Sequence, residues 1–475
     1  MKKAPLTNAV LVPPFFERKL SGINFVQLGL IFFVSIFFYS CKKSLQDSEA
    51  ITPELQNISS IKSTEVGNIG INVVLTTGIT ESILEELKVY GKIINTFPEI
   101  KALTMLTTNA KLSRIKVLPY VSAASPDAER QGSPVDNLSL DNFTGGMSSW
   151  DLDALNVTDY GVGRTVQPDG SGVFIGILDT GLPDNWRQLF PEERIATQYA
   201  KSFGGGGNDA GRVSEQPNKW EHDQNSHGGH VTSTILGYQF RGISVNGVAP
   251  KATVIPVKIL GQNGWGWSSV ISEGILYIAS LKAGVLHNSP VLINMSLGGS
   301  GLDALEKAAI DYAISQGVII VAAAGNSGSF GMTYPGGYAP VISVAAAGWY
   351  GEFTATDWAF SLDVPDPTIS GNYYIAAFSS RRLPGQDLDV AAPGVFVIGP
   401  YQVNSGQTAY YYLSGTSMAS PHVAGVVALM AQKKSTLTAA EAESILESTA
   451  LPMSAGPNSA GSGFVTANAA LAAIP

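Results

Sequence analysis

The chain of 475 residues has one cysteine, which excludes an intrachain disulfide framework in any compartment. Charge is scarce as well: Asp, Glu, Lys and Arg make up 14% of the residues, and the formal net charge is −9. That acidic balance, without a basic stripe anywhere along the chain, argues against a nucleic-acid partner. Histidine occurs five times, so any clustering of it is informative. What is abundant is glycine, 51 residues beside 45% hydrophobic ones, the composition of a loop-rich, tightly packed globular protein and not of a disordered one. The length leaves room for two or three domains, one with a large core.

The cysteine is informative by position. Arg18 and Lys19 precede a mostly apolar stretch over 23–39 that ends at Ser40-Cys41, with Lys42 and Lys43 behind it. Basic residues, an apolar run and a small residue before the break make an export signal over 1–41. The segment resembles a bacterial lipoprotein signal, which implies lipidation of Cys41, although Phe38 departs from that box. An uncleaved membrane anchor is the second reading, since roughly 17 apolar residues reach the short limit of a span. Both readings put everything after Cys41 outside the cytoplasm, in the cell envelope or beyond it, tethered to the membrane before processing.

Residues 42–70 are polar and without period, as in a linker. A small module then runs over 71–125, with strands at 71–75, 92–97, 102–106 and 119–125 and helices at 80–89 and 109–117. The order β-α-β-β-α-β is the split, ferredoxin-like arrangement. SPDAERQGSPVDN opens a polar, proline-bearing boundary over 126–147, the kind of exposed stretch that proteases cut. From 148 to 475 the pattern is α/β. The runs GVFIGILDTG (172–181), ATVIPVKIL (252–260), VLINMSLGG (291–299) and GVIIVAAAGN (317–326) are continuous apolar strands, with helices between them at 268–283 and 304–316. Such strands belong to a parallel sheet covered on both faces, whose ligands bind at the strands' carboxyl ends.

Three strand or helix ends carry chemistry. Asp179 closes ILDTG, HDQNSHGGHV holds three of the five histidines, and SGTSMASPHVAGVVAL places Ser414, Ser417 and Ser420 before an uncharged helix. Pro421 fits a first helical turn, so that helix is expected to begin just before it. A serine hydroxyl needs an imidazole to take its proton, and the imidazole needs a buried carboxylate to hold its tautomer and stabilise the imidazolium. Asp, His and Ser in that chain order are one arrangement in which such a triad is built. Asn326, at the end of AAAGN, could supply an oxyanion donor. Against this stand plainer roles: a strand-ending turn for Asp179, helix caps for the serines, and a zinc site from His222, His227 and His230, although no HExxH pattern is present.

Seven blocks then match in order: GILDTG, NSHGGHV, GVAPKATVIPVKIL, INMSLGG, VAAAGN, DVAAPG and SGTSMASPHVAG. With them the chain resembles the subtilisin-like serine peptidases. The resemblance implies a parallel-sheet catalytic domain and an endopeptidase acting on proteins or peptides through an acyl-enzyme. Asp179 would orient, His227 would be the base, Ser417 the nucleophile and Asn326 an oxyanion donor. Ser414 and Ser420 keep the capping role, and His230 and His422 become packed, structural histidines. Gly264, Trp265 and Gly266 would form one edge of a substrate groove and Ser296, Leu297, Gly298 and Gly299 the other, with the peptide added between them as a strand. Trp265 would favour apolar substrate side chains several residues before the cut. The 71–125 module looks like the family's inhibitory, folding-assisting propeptide, which makes the chain a zymogen cut within 124–147.

The chemistry needs no cofactor. Gln188 stands where relatives carry an Asp ligand, and YQFRGISVNGVAP (238–250) lacks their Asn-rich loop, so a structural calcium, though open to the chain, is unsupported at that site. Gly229 replaces the Thr of HGTH. An insertion over 348–375, with TATDW and DVPDPT, reads as a solvated loop. A catalytically silent peptide binder of the same fold is the alternative from another class. An esterase on an α/β-hydrolase scaffold is disfavoured further, since Ser417 sits in GTSMA and not in GxSxG.

Overall fold

A computed structural model describes residues 67–132, 136–139, 149–159, 163–205, 213–240, 242–353, 372–402 and 408–475. The export signal with Cys41, nearly all of the linker expected before residue 70, residues 133–135 and 140–147 of the cleavage region and the acidic part of the insertion lie outside the described residues. Among the described residues no helix is long and apolar enough to cross a membrane.

The first elements are β1 (Ile69–Leu75), α1 (Glu81–Lys88), β2 (Lys92–Phe97), β3 (Ala102–Thr107), α2 (Asn109–Ile115) and β4 (Val121–Pro126). They form an antiparallel sheet in the order β2-β3-β1-β4. Thr80 and Thr108 start the two helices by accepting from the backbone N–H groups of Ile83 and Lys111. The period of two in β1 gives its faces different tasks. Ile71, Val73 and Leu75 bury against the module's own helices, while Asn72 and Val74 turn the other way. A short strand, β5 (Glu129–Gln131), continues from this module.

The large sheet is built from β6 (Phe174–Asp179), β7 (Lys201–Gly205), β8 (Val213–Glu215), β9 (Thr253–Lys258), β11 (Val291–Met295), β12 (Val318–Ala323), β13 (Ile342–Trp349), β14 (Tyr373–Ile375) and β15 (Val390–Pro393). Between its strands come α3 (His227–Leu236), the edge strand β10 (Trp265–Trp267), α4 (Ser268–Ala283) and α5 (Ala304–Ser315). The hairpin β16 (Val397–Gln402) and β17 (Thr408–Ser414) leads into α6 (Thr416–Lys433). The order is β8-β7-β9-β6-β11-β12-β13-β14, with β15 also on β13. Its centre is parallel, and the pairs β7–β8 and β13–β14 are antiparallel, so the sheet is mixed but mostly parallel.

Side chains alternate across it. Ile175 and Ile177 of β6 enter the core beneath α3 and α6, and Leu178 enters the opposite core beneath α4 and α5. Both faces are therefore covered, as the unbroken apolar strands require. That second core also takes Val74, Phe97, Ile100 and Ala102 from the small module, so the two sheets share apolar packing.

Two expectations change. The helix α6 begins at Thr416, and Pro421 lies inside it instead of in its first turn. Proline has no N–H for the Ser417 carbonyl one turn earlier, and the Ser296 hydroxyl donates to that carbonyl instead, at 2.7 Å. The ends of the 348–375 insertion are strand and not loop: Gly348 pairs with Tyr374 across β13 and β14.

Candidate active site

Asp179 is the last residue of β6 and His227 the first of α3, both fully buried. The His227 Nδ1 lies 2.8 and 3.0 Å from the two carboxylate oxygens of Asp179. The loop before α3 is held by Asp223, which accepts from the Thr180 hydroxyl and the Ser226 N–H at 2.7 Å each and from the Asn225 N–H at 2.9 Å. Ser226 adopts φ 66°, a left-handed conformation that this anchoring fixes. Burial pushes the Asp223 carboxyl up in pKa, and Lys258, whose Nζ is 3.9 Å away and donates to the Thr180 carbonyl, opposes that. Asp223 thus sets the direction in which the His227 ring leaves the helix.

Ser417 is the second residue of α6. Its hydroxyl donates to the Ser296 carbonyl at 3.1 Å, while the His227 Nε2 is buried with no hydrogen-bond partner among the described residues. The serine-to-imidazole bond expected of a working triad is therefore not made in this arrangement. Asn326 uses its side-chain oxygen to accept from both the N–H and the hydroxyl of Thr416, at 2.9 Å each. Its Nδ2 is the atom left to donate into a cavity of about 290 Å³, which Asn326 lines together with Leu297, Thr333, Thr416 and Ser417.

The expected groove edges face each other with a strand of the same chain between them. β5 pairs antiparallel with β10, Arg130 opposite Gly266 and Gln131 opposite Trp265. On its other side Gln131 exchanges two backbone bonds of 3.0 Å with Gly298. The next N–H, of Gly132, donates to the Gly264 carbonyl at 2.9 Å. Gly299 must lack a side chain here, since a Cβ on it would meet the Glu129 carbonyl oxygen at 2.3 Å. A Cβ on Gly132 would come within 3.3 Å of the His227 Cε1 and 2.9 Å of the Ser296 carbonyl oxygen. The strand end thus lies against the imidazole. Trp265 stays partly exposed on the rim, and Leu297 is buried.

The remaining candidates separate. Ser414 and Ser420 do not cap α6: the N-cap residue is Gly415 without a side-chain bond, Ser414 accepts from the Phe396 N–H at 3.0 Å, and Ser420 donates to Asn294 at 2.7 Å. His222 lies exposed beside Asp184 at 2.6 Å, whereas His230 faces the Val397 carbonyl at 3.2 Å, so the three histidines of the block engage three different partners. His422 is packed between Asp151 and the Met418 carbonyl, 2.8 Å from each. Sequence reasoning overlooked Asp223 and Thr416, which act through other residues and carry no spacing signal of their own. It also overlooked Arg130 and Glu306, paired in the groove though 176 positions apart.

A sequence model of the subtilase family matches residues 170–466. The chain is similar to a thermostable alkaline protease of Halalkalibacterium halodurans, 31% identical over 378 residues, which cover 80% of this chain and 85% of that protein. It is 35% identical over 318 residues to subtilisin BL of Lederbergia lenta, covering 66% of this chain and 97% of the relative. Among solved structures, fervidolysin of Fervidobacterium pennivorans, described as a keratinolytic enzyme related to subtilisin, superposes with a TM-score of 0.64 at 24% identity. That match covers 87% of this chain and 62% of the other, and it speaks for the fold. With the matched family region covering most of the chain, and its blocks carrying an aspartate, a histidine and a serine to one cleft, the protein belongs to the subtilase family and is a subtilisin-like serine endopeptidase.

Proposed function

We propose that Asp179, His227 and Ser417 act as a catalytic triad, with Asn326 as oxyanion donor, in an exported endopeptidase made as a zymogen. The observation that carries this reading is the Asp179–His227 pair, fully buried and doubly contacted, at the end of a groove that holds a peptide strand. In the reaction the Ser417 hydroxyl leaves the Ser296 carbonyl and donates to Nε2. Oγ attacks the scissile carbonyl as its proton passes to the imidazole, and Asp179 stabilises the imidazolium. The carbonyl oxygen, now anionic, takes the Asn326 Nδ2–H. The imidazolium then protonates the leaving amine, and water, deprotonated by the same ring, hydrolyses the acyl-serine.

The 71–125 module would be the inhibitory propeptide, and residues 129–132 its tail in the groove. Supporting this, the tail lies between the two expected groove edges, and the Ser417 hydroxyl is bonded to the Ser296 carbonyl while it is there. Cleavage within 124–147 would release the 148–475 domain, and Cys41 would tether the precursor to the membrane.

Labelling with a serine-directed fluorophosphonate, compared with Ser417→Ala, tests the triad. Loss of labelling and of peptide hydrolysis, by about 10⁶ in kcat, is expected. Labelling that survives the substitution overturns the assignment. N-terminal sequencing of the released form is expected to read a start between residues 125 and 148.

A further inference from the structure

Arg130 is the one long charged side chain of the strand in the groove that points inward, and it is 1% exposed. Its Nε donates to Glu306 Oε1 at 3.1 Å and its Nη2 to Oε2, a two-pronged pair in which both side chains are fully buried. Nη2 also donates to the Gly301 carbonyl at 3.0 Å, and Nη1 turns back to the Glu129 carbonyl at 2.8 Å. Two of the three acceptors, Glu306 and Gly301, belong to the catalytic domain, and the third is backbone that any substrate strand brings with it.

Glu306 is the third residue of α5, where the helix N-terminus favours a carboxylate. Asp303, the cap of the same helix, adds negative charge nearby. Burial works against the Arg130 charge, but the Glu306 carboxylate, with Asp303 and Asp127, more than offsets it and raises the guanidinium pKa. For Glu306 itself, burial pushes the carboxyl up and the guanidinium opposes it. Enclosed beside a second acid, the Glu306 carboxylate is costly to keep charged without a cation, and the cation present arrives on a β-strand lying between the groove edges.

We propose that Glu306 makes this pocket a reader of arginine: substrates lying in the register of residues 129–132 are selected for Arg at the position Arg130 holds, and Arg130 retains the chain's own strand by the same contact. This rests on the peptidase reading above. Gly132 lies against the imidazole, so the attacked carbonyl is that of the following residue, and the selected arginine is the fourth residue before the cut bond. Lysine fits less well, because it has no planar fork to satisfy both oxygens of Glu306. The apolar preference expected from Trp265 concerns a different strand position. Trp265 sits on the rim opposite Gln131, whereas the buried position opposite Gly266 is lined by an acid.

The test uses the full-length chain, left to process itself, and two fluorogenic peptides that differ only at the fourth residue before the cleavable bond, Arg or Leu. The ratio of their kcat/KM values cancels any loss of folded enzyme. The wild type is expected to favour Arg at least about tenfold, since a site built around a polar partner rejects an analogue without it. Glu306→Gln should bring the ratio near one, and Glu306→Leu should invert it. Equal cleavage of both peptides by the wild type, or a ratio that Glu306→Leu leaves in place, overturns the proposal while the peptidase reading stands. Absence of both cleavage and fluorophosphonate labelling in the wild type overturns that reading and the pocket's role with it.

Discussion

Single side chains decide the chemistry and part of the pH response. Thr416 orients the Asn326 amide, and Asn326→Ala removes the donor it would aim at the oxyanion, so kcat should fall about 10²- to 10³-fold with KM little changed in steady-state assays. His230 stays neutral in the fold. Burial, with the His227 charge adding to it, lowers its pKa from 6.5 to about 3. As pH falls through 6.5 the unfolded chain takes up a proton that the folded chain refuses until about 3, so stability is lost across that window, on the order of a few kcal/mol. In a Ser417→Ala background, which prevents self-cleavage, His230→Gln should therefore shrink the drop in Tm between about pH 7 and about pH 4. Arg130 and Glu306 can be weighed against each other in the same background. Glu306→Leu leaves a buried guanidinium unpaired and should cost about 3–5 kcal/mol in thermal unfolding, while the double change Arg130→Leu with Glu306→Leu should cost much less.

Elements show where local sequence signals suffice and where they do not. The strands β6, β9, β11 and β12 and the helices α4 and α5 were legible because unbroken apolar runs of strand length need a cover on both faces. The start of α6 was not. Proline inside a helix is excluded by local rules only when the carbonyl it abandons has no other donor, and the Ser296 hydroxyl, 121 positions away, is that donor. In the same Ser417→Ala background, Ser296→Ala should lower stability by about 1–3 kcal/mol, and less when Pro421→Ala restores an N–H to the turn, which a four-member set of melting curves would show. The strand β5 was equally hidden. Glu-Arg-Gln has neither period nor β-branched residues, and its ladder comes wholly from β10 and Gly298. An exposed, cuttable boundary was the natural expectation for it, and an open sheet edge is what turned it into structure.

In the molecule as a whole, the small sheet completes the large domain. Asn72, on the face of β1 turned away from its own helices, donates to Asp127, Ser268 and Asp303 at 3.1 to 3.2 Å. Asp127 in turn accepts from the Ser269 N–H at 2.9 Å, so the first turn of α4 is capped from outside the catalytic domain. A folding chain must bring α4, α5 and the distant strands together before they reward each other, and this module offers a ready surface for both helix starts. The domain 149–475 expressed alone should refold more slowly than with residues 67–132 supplied in trans, and Asp127→Ala in the supplied piece should weaken that help. Recovery of fluorophosphonate labelling over time would measure both.

The sequence by itself determined the class of fold and the family, and it singled out Asp179, His227 and Ser417 as the proposed acid, imidazole and alcohol. Those features are written locally, in apolar runs and in short blocks such as NSHGGHV and SGTSMASPHVAG. Only the tertiary structure decided what those blocks touch: that Asp223 aims His227, that Ser417 rests on Ser296 while a strand fills the groove, and that Arg130 is buried on Glu306. Each of these is a contact between side chains far apart in the chain, whose energy depends on burial and direction. Neither quantity exists until the sheet has brought the strand ends together.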